Sequence, residues 1–386
     1  MLYQNAQLVL PRQITRGSLR VAAGKIAALG DLRPEPGEEA IDCGGHYLAP
    51  GFIDLHIHGA LRRDTMEATA EAFDAITRHH ARGGTTALAL TTVVATSEDI
   101  LRVLRAVKEY RTRPPAGAQV LGVHVEGPYF SPGRPGAHWP HLIRHPDPRE
   151  YAEWLEYADV ITQMTVAPEL PGAPELIAEL SGRGIIASGG HSDAWDEDAA
   201  EGFRRGMRQV THTYNCMSSQ RRRGPYRVAG LLEFAMSEPQ ILCELIADGH
   251  HVSPTLMRAL YRAKGPDGIA LVTDAAGGAG LPEGEPYTLG TLPAVVRNGV
   301  GVTADGTALA SSTCGIIDCV RNMVQLAGVP LLEAIQMATR NPARALGLNQ
   351  KGTLIQGADA DLVTFDESFA VQWTSISGHR NKAVPG

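Results

Sequence analysis

Gly51-Phe52-Ile53-Asp54-Leu55-His56-Ile57-His58-Gly59 is an apolar run that ends in two histidines spaced i, i+2, followed at once by glycine. In an extended strand, residues i and i+2 face the same side, so both imidazoles converge on one point. Neutral imidazole is the commonest side-chain ligand for transition metals, and the pair reads as two ligands to one ion. His-x-His alone is a weak pattern. Its meaning depends on whether other strands of the chain end the same way.

Working outward, strand-like apolar runs recur at residues 51–56, 85–91, 119–124, 160–166, 184–188, 209–212, 241–247 and 269–273. Helix-like stretches lie between most of them, at 68–82, 97–110, 148–157 and 174–183. Eight strands interleaved with helices predict an α/β fold, a (β/α)8 TIM-like barrel. A doubly wound sheet would show the same alternation, but it does not account for what sits at the strand ends. Past the eighth strand, 315–326 and 330–339 read as helices, with Asn341-Pro342 as a stop. The two ends of the chain look alike: short strands at 6–10, 17–23 and 25–29, and again at 352–355 and 360–365, separated by turn formers. The expected organisation is a small β-sandwich domain built from 1–49 plus 346–386, around a catalytic barrel over 50–345.

Enzymes on this barrel carry their chemistry at the C-terminal ends of the strands. The first strand ends in His56 and His58. The third, Leu121-Gly122-Val123-His124-Val125-Glu126, ends in a carboxylate ahead of Gly127-Pro128. The fifth leads through Gly189-Gly190 into His191, the sixth ends in His212, and the eighth in Asp274. Taken singly, each has an ordinary reading as a satisfied polar residue or a turn former. Five strands of one barrel ending this way together are not ordinary. Two imidazoles, a carboxylate and an aspartate can hold one divalent ion, and the same carboxylate with two further imidazoles can hold a second. Water shared between such ions is acidified, and an aspartate beside it can take its proton and deliver it to a leaving amine. Hydrolysis of an amide or a related C–N bond is the natural reaction. The donor set predicts one or two divalent metal ions, Zn first, with Fe, Co or Mn also compatible.

Bulk properties exclude other classes. A net charge of −7 and a pI near 6.1 give no nucleic-acid footprint, and no stretch reaches the roughly 18 apolar residues of a membrane helix. Five cysteines without a C-x-x-C pair predict reduced thiols, and the N-terminus lacks a leader pattern, so a cytoplasmic location is expected.

The chain resembles the amidohydrolase superfamily and, within it, the N-acetylglucosamine-6-phosphate deacetylase family. The resemblance is carried by residues 50–59, Asp64-Thr65-Met66, Gly122-Val123-His124-Val125-Glu126-Gly127-Pro128-Tyr129, Gly136-Ala137-His138, Gly190-His191-Ser192-Asp193-Ala194, Thr211-His212-Thr213-Tyr214-Asn215-Cys216-Met217, Ala247-Asp248-Gly249-His250-His251 and Val272-Thr273-Asp274-Ala275. Asn341-Pro342-Ala343 and residues 352–362 extend it, in order, over nearly the whole chain. It implies that His56, His58, Glu126 and Asp274 hold one metal and Glu126, His191 and His212 the other, with Asp274 as general base and acid. His138, His251, Asn215 and the Cys216 backbone N–H would contact an amino-sugar phosphate. A neighbouring subunit helps close the site in the family, which implies a homodimer. The implied reaction releases acetate from an N-acetylated amino sugar, N-acetylglucosamine 6-phosphate foremost.

Several departures bear on the substrate. The loop after His-x-His-Gly is Ala60-Leu61-Arg62-Arg63 where relatives carry glycines, and it is the first place to look for a shifted substrate. Ser219-Gln220-Arg221-Arg222-Arg223-Gly224-Pro225 replaces the family's His-His-Arg-Glu-Pro-Gly, which makes Arg223 the expected phosphate ligand. Residues 307–312 replace Gly-Thr-Leu-Ala-Gly-Ser. Two other readings remain open. Another amidohydrolase, acting on a cyclic amide or an N-acyl amino acid, is disfavoured because many of those bridge their metals with a carboxylated lysine on the fourth strand, and residues 160–167 contain no lysine. A non-catalytic scaffold predicts eroded ligands, yet all six are present.

Overall fold

The structure is a computed structural model and describes residues 1–382. Residues 383–386, the end of the expected C-terminal segment, lie outside the described residues. Eight parallel strands form the centre: β1 (Phe52–Ile57), β2 (Thr85–Thr91), β3 (Gln119–Glu126), β4 (Ile161–Val166), β5 (Ile186–Gly189), β6 (Gln209–Val210), β7 (Leu242–Ile246) and β8 (Ile269–Val272). They are hydrogen-bonded in chain order. A parallel bridge between Ile57 and Ala275 closes the ring, helped by the Asp274 N–H, which donates to the His56 carbonyl at 2.9 Å. Asp54 draws the same edges together: its buried carboxylate accepts from Thr273 Oγ1 at 2.6 Å. This is the expected (β/α)8 barrel.

The local reasons follow from residue type. β1 and β2 are buried at every position, as strands covered on both faces must be. The helix Ser97–Tyr110 starts where Thr96 Oγ1 accepts from the Asp99 N–H, and it buries Ile100, Leu101, Val103, Leu104 and Val107 as one stripe. Helices at Asp196–Arg205, Leu231–Ser237 and Pro254–Lys264 complete the outer ring. Between β8 and the helix Ile316–Gln325, a three-stranded antiparallel sheet (Pro286–Leu289, Leu292–Arg297, Val300–Thr303) stands over the mouth of the barrel. The sequence reading did not include it, because its strands are only four to six residues long.

Both ends of the chain join in one mixed sheet. Tyr47–Pro50 pairs in parallel with Leu2–Val9 and antiparallel with Leu362–Phe365, which continues into Val371–Ile376 and His379–Lys382. Its own apolar cluster includes Tyr3, Leu8, Leu19, Ile26, Leu48, Leu362 and Trp373. Gly352-Thr353-Leu354-Ile355, expected as a strand, is a bend followed by coil instead. Gly352 has φ +79°, and a Cβ there would come within 2.7 Å of the Thr339 carbonyl oxygen, so the backbone turns at this point rather than extending. No helix among the described residues is long and apolar enough to cross a membrane.

Phe52 ties barrel to sheet. It is fully buried, and Phe52 and Val363 of the terminal sheet both crowd Gly84. Phe52→Ala is expected to destabilise the protein by about 3–5 kcal/mol, measured by reversible chemical denaturation.

Candidate metal centre

All six expected ligands meet at the C-terminal mouth of the barrel, on residues that end a strand or follow it closely. His56 lies in β1 and His58 just beyond it, while Glu126 is the last residue of β3. His191, His212 and Asp274 follow β5, β6 and β8 with φ values of +47°, +29° and +50°. Non-glycine residues rarely take that conformation, and such strain gathers at functional sites. Here the left-handed turn swings each side chain back over the barrel mouth.

The two oxygens of Glu126 divide the histidines into pairs. Oε2 lies 3.2 Å from His58 Nε2 and 3.4 Å from His56 Nε2. Oε1 lies 3.1 Å from His212 Nε2 and 3.5 Å from His191 Nε2. Asp274 Oδ1 joins the first pair, 3.2 Å from His58 Nε2 and 3.6 Å from His56 Nε2. Within the pairs, the Nε2 atoms are 3.3 Å and 3.1 Å apart.

This donor set fits divalent ions. Ligands about 2.0–2.2 Å from a zinc ion stand roughly 3–3.5 Å from one another, which matches the spacing in each pair. His191 Nδ1 lies 2.8 Å from the Arg134 carbonyl; a proton donated there leaves the Nε2 lone pair facing the cluster. Gly136, at φ +60°, makes that approach possible, since a Cβ would come within 2.9 Å of the His191 ring. His58 Nδ1 and His212 Nδ1 are buried without a partner among the described residues. Burial disfavours charge on His58, Glu126 and Asp274, but their opposite charges outweigh it: His58 is raised to about 9 by Asp274 and Glu126, while both carboxylates are held below their usual range by the histidines.

Beside the cluster opens a cavity of about 290 Å³, near the lower end of the roughly 300–1,000 Å³ typical of small-molecule pockets. His138, Asn215, Cys216 and His251 line it, together with Leu289, Leu309 and Ser311. His138 Nδ1 accepts from the Val94 N–H at 3.4 Å, so its Nε2 carries the proton; burial pushes its pKa down to about 3 and keeps it neutral. His251 Nδ1 lies 2.7 Å from Asp248 Oδ2. Burial lowers the His251 pKa, but this carboxylate outweighs it and raises the value.

Arg223, expected to bind phosphate, does not line the cavity of its own chain. It sits on a hairpin (Arg221–Arg223, Tyr226–Val228), pairs with Glu197 at 2.6 Å and stacks 4.0 Å over the Trp195 ring, where a nearby carboxylate and an indole face capture the guanidinium. Residues 60–63 do not reach the cavity either. Gly59–Ala60 and Arg63–Asp64 form a tight two-stranded turn, and Leu61 and Arg62 donate backbone N–H bonds to Ala279 and Gly277. That loop braces the segment after Asp274 rather than the substrate space. Residues 307–312, by contrast, do reach the pocket through Ala308, Leu309 and Ser311.

Sequence reasoning passed over Asp54, Gln163, Gln209 and Glu244, polar side chains buried inside the barrel. For Asp54 and Glu244 the signal was present, since each interrupts an apolar strand.

Comparison with known proteins agrees with this architecture. Residues 47–380 match the Amidohydrolase family. The N-acetylglucosamine-6-phosphate deacetylase of Vibrio furnissii is 34% identical over 92% of this chain and 88% of that protein. The N-acetylgalactosamine-6-phosphate deacetylase of Escherichia coli O157:H7 is 36% identical over 93% of each. A mutant N-acetyl-D-glucosamine-6-phosphate deacetylase from Mycobacterium smegmatis, solved in complex with N-acetyl-D-glucosamine-6-phosphate, superposes with a TM-score of 0.91 at 32% identity, covering 98% of each chain. With this barrel, this ligand ring and relatives of that identity along nearly its full length, the chain belongs to the N-acetylglucosamine-6-phosphate deacetylases of the amidohydrolase superfamily, hydrolytic enzymes acting on an amide.

Proposed function

We propose that the protein removes acetate from an N-acetylated amino-sugar 6-phosphate, N-acetylglucosamine 6-phosphate foremost, using two divalent ions. The observation that carries this reading is the position of Glu126, one oxygen facing His56 and His58 and the other facing His191 and His212 at the wall of a sugar-sized cavity. Zn suits the donor set best, with Fe, Co or Mn also accepted. When bound, the ions polarise the amide carbonyl and acidify water.

The chain's own residues do the rest. Asp274 is the general base: it takes the proton of the attacking water and returns it to the leaving nitrogen. Neutral His138 donates its Nε2–H toward oxygen charge that develops at the carbonyl. His251, held by Asp248, presents its other nitrogen to the substrate, while Asn215 and Cys216 border the sugar. Leu289 and Leu309 exclude water from one side.

The phosphate needs a cation, and Arg223 lies outside its own chain's cavity. The reading that reconciles these facts is a homodimer in which the Arg221–Val228 hairpin reaches a second copy. Tyr226 of this hairpin is 72% exposed in the single chain. Arg223→Ala is then expected to raise KM for the phosphorylated sugar about 10–100-fold, the worth of a charge-assisted contact, and to leave KM for the unphosphorylated sugar unchanged. Equal effects on both sugars, or a monomer in analytical ultracentrifugation, would count against this arrangement.

The decisive assay follows amine release by metal-loaded protein from N-acetylglucosamine 6-phosphate, its galactosamine counterpart, unphosphorylated N-acetylglucosamine and N-acyl amino acids. Turnover confined to N-acyl amino acids would overturn the proposal.

A further inference from the structure

The seventh barrel strand runs Leu242-Cys243-Glu244-Leu245-Ile246, so a single carboxylate interrupts an apolar sequence. Glu244 has no exposed surface, and among the described residues no lysine or arginine lies within ion-pair distance of it; its one such partner is His56. A carboxylate buried so deeply is costly unless its acceptor sites are filled. They are filled. Oε1 accepts from Gln163 Nε2 at 2.8 Å and Gln209 Nε2 at 2.7 Å. Oε2 accepts from the His212 backbone N–H at 3.3 Å and lies 3.2 Å from His56 Nδ1.

An ionised carboxylate is acceptor-only, so the proton of that last contact belongs to His56 Nδ1. Neutral imidazole then offers its lone pair from Nε2, the atom that faces Glu126 at 3.4 Å and Asp274 at 3.6 Å. Glu244 does not border the cavity.

We propose that Glu244 is a positioning residue of the metal centre. It fixes the tautomer and ring plane of His56 and so builds the His56/His58/Asp274 half. Through the His212 N–H it also ties that half to the Glu126/His191/His212 half. The inference rests on the two-ion reading above.

Glutamine keeps the shape of Glu244 but cannot keep its bonds. If its amide oxygen faces Gln163 and Gln209, its NH2 opposes the His212 N–H and forces the His56 proton onto Nε2. If it is turned round, its NH2 opposes two glutamine donors. Loss of such a partner typically weakens metal binding 10–100-fold.

The test titrates metal-stripped wild type, Glu244→Gln and His56→Ala with Zn by calorimetry, with circular dichroism to show that each is folded. The expected result is two sites in wild type, with the same site weakened about 10–100-fold by Glu244→Gln and lost in His56→Ala. Two unchanged sites in folded Glu244→Gln would overturn the role of Glu244 alone. A wild type with one site that His56→Ala leaves intact would overturn the two-ion reading, and this inference with it. Should Glu244→Gln fail to fold, nitrogen NMR of histidine-labelled, Zn-loaded wild type still decides. His56 Nδ1 is expected to carry a proton, and an unprotonated Nδ1 would refute the proposal.

Discussion

Asp274→Asn is expected to lower kcat by about 10²–10⁴-fold, the usual worth of a positioned general base, with little change in KM. The side chain enters the centre on a left-handed turn after β8 and lies 3.2 Å from His58 Nε2, with Ser311 Oγ donating to it from 3.2 Å on the cavity side. Burial raises the pKa of this carboxylate, but His56 and His58 outweigh it and hold it below the usual range, so it is ionised at neutral pH and ready to accept a proton. Asparagine preserves the shape and can still present an oxygen to His58, but it cannot take up a proton and give it back. Steady-state kinetics with parallel metal analysis checks the assignment. Wild-type kcat would refute it, while loss of turnover together with metal would show that Asp274 acts chiefly as a ligand.

Glu126→Gln is expected to empty both halves of the centre at once. Each of its oxygens faces a different histidine pair at 3.1–3.5 Å, so neutralising it removes the negative charge that stands between the Nε2 atoms of both pairs. Outer-sphere partners of metal ligands already matter about 10–100-fold in affinity, and losing a bridging ligand should exceed that at both sites. Activity should fall with the metal. Elemental analysis after dialysis measures the effect: unchanged metal content would remove Glu126 from the bridging position, and loss of one ion would confine it to one half.

Much of this centre was legible in the chain because strand periodicity is local. An apolar run that leads into a histidine or a carboxylate announces the strand and the end at which that side chain sits, and His56, Glu126, His191, His212 and Asp274 could be read that way. The polar residues inside the barrel were harder to interpret. Glu244 and Asp54 carry meaning only through partners far away in sequence, such as Gln163, Gln209 and Thr273. The short strands of 286–303 were missed for a related reason: at four to six residues each, they carry too little pattern to stand out locally.

Arg223 and residues 60–63 mark the other boundary. Within the single chain Glu197 with Trp195 holds Arg223 outside the cavity, and residues 60–63 brace the segment after Asp274, placements that no motif position announces. Residue order and hydrophobic pattern by themselves determined the barrel and the six side chains that converge at its mouth, because an apolar run followed by a histidine or carboxylate marks the C-terminal end of a strand. Only the tertiary structure decided how those ligands divide between the two oxygens of Glu126, which buried carboxylate stands behind His56, and which loops border the cavity. Those outcomes depend on how β1 meets β8 and on packing between residues far apart in the chain, which no local pattern encodes.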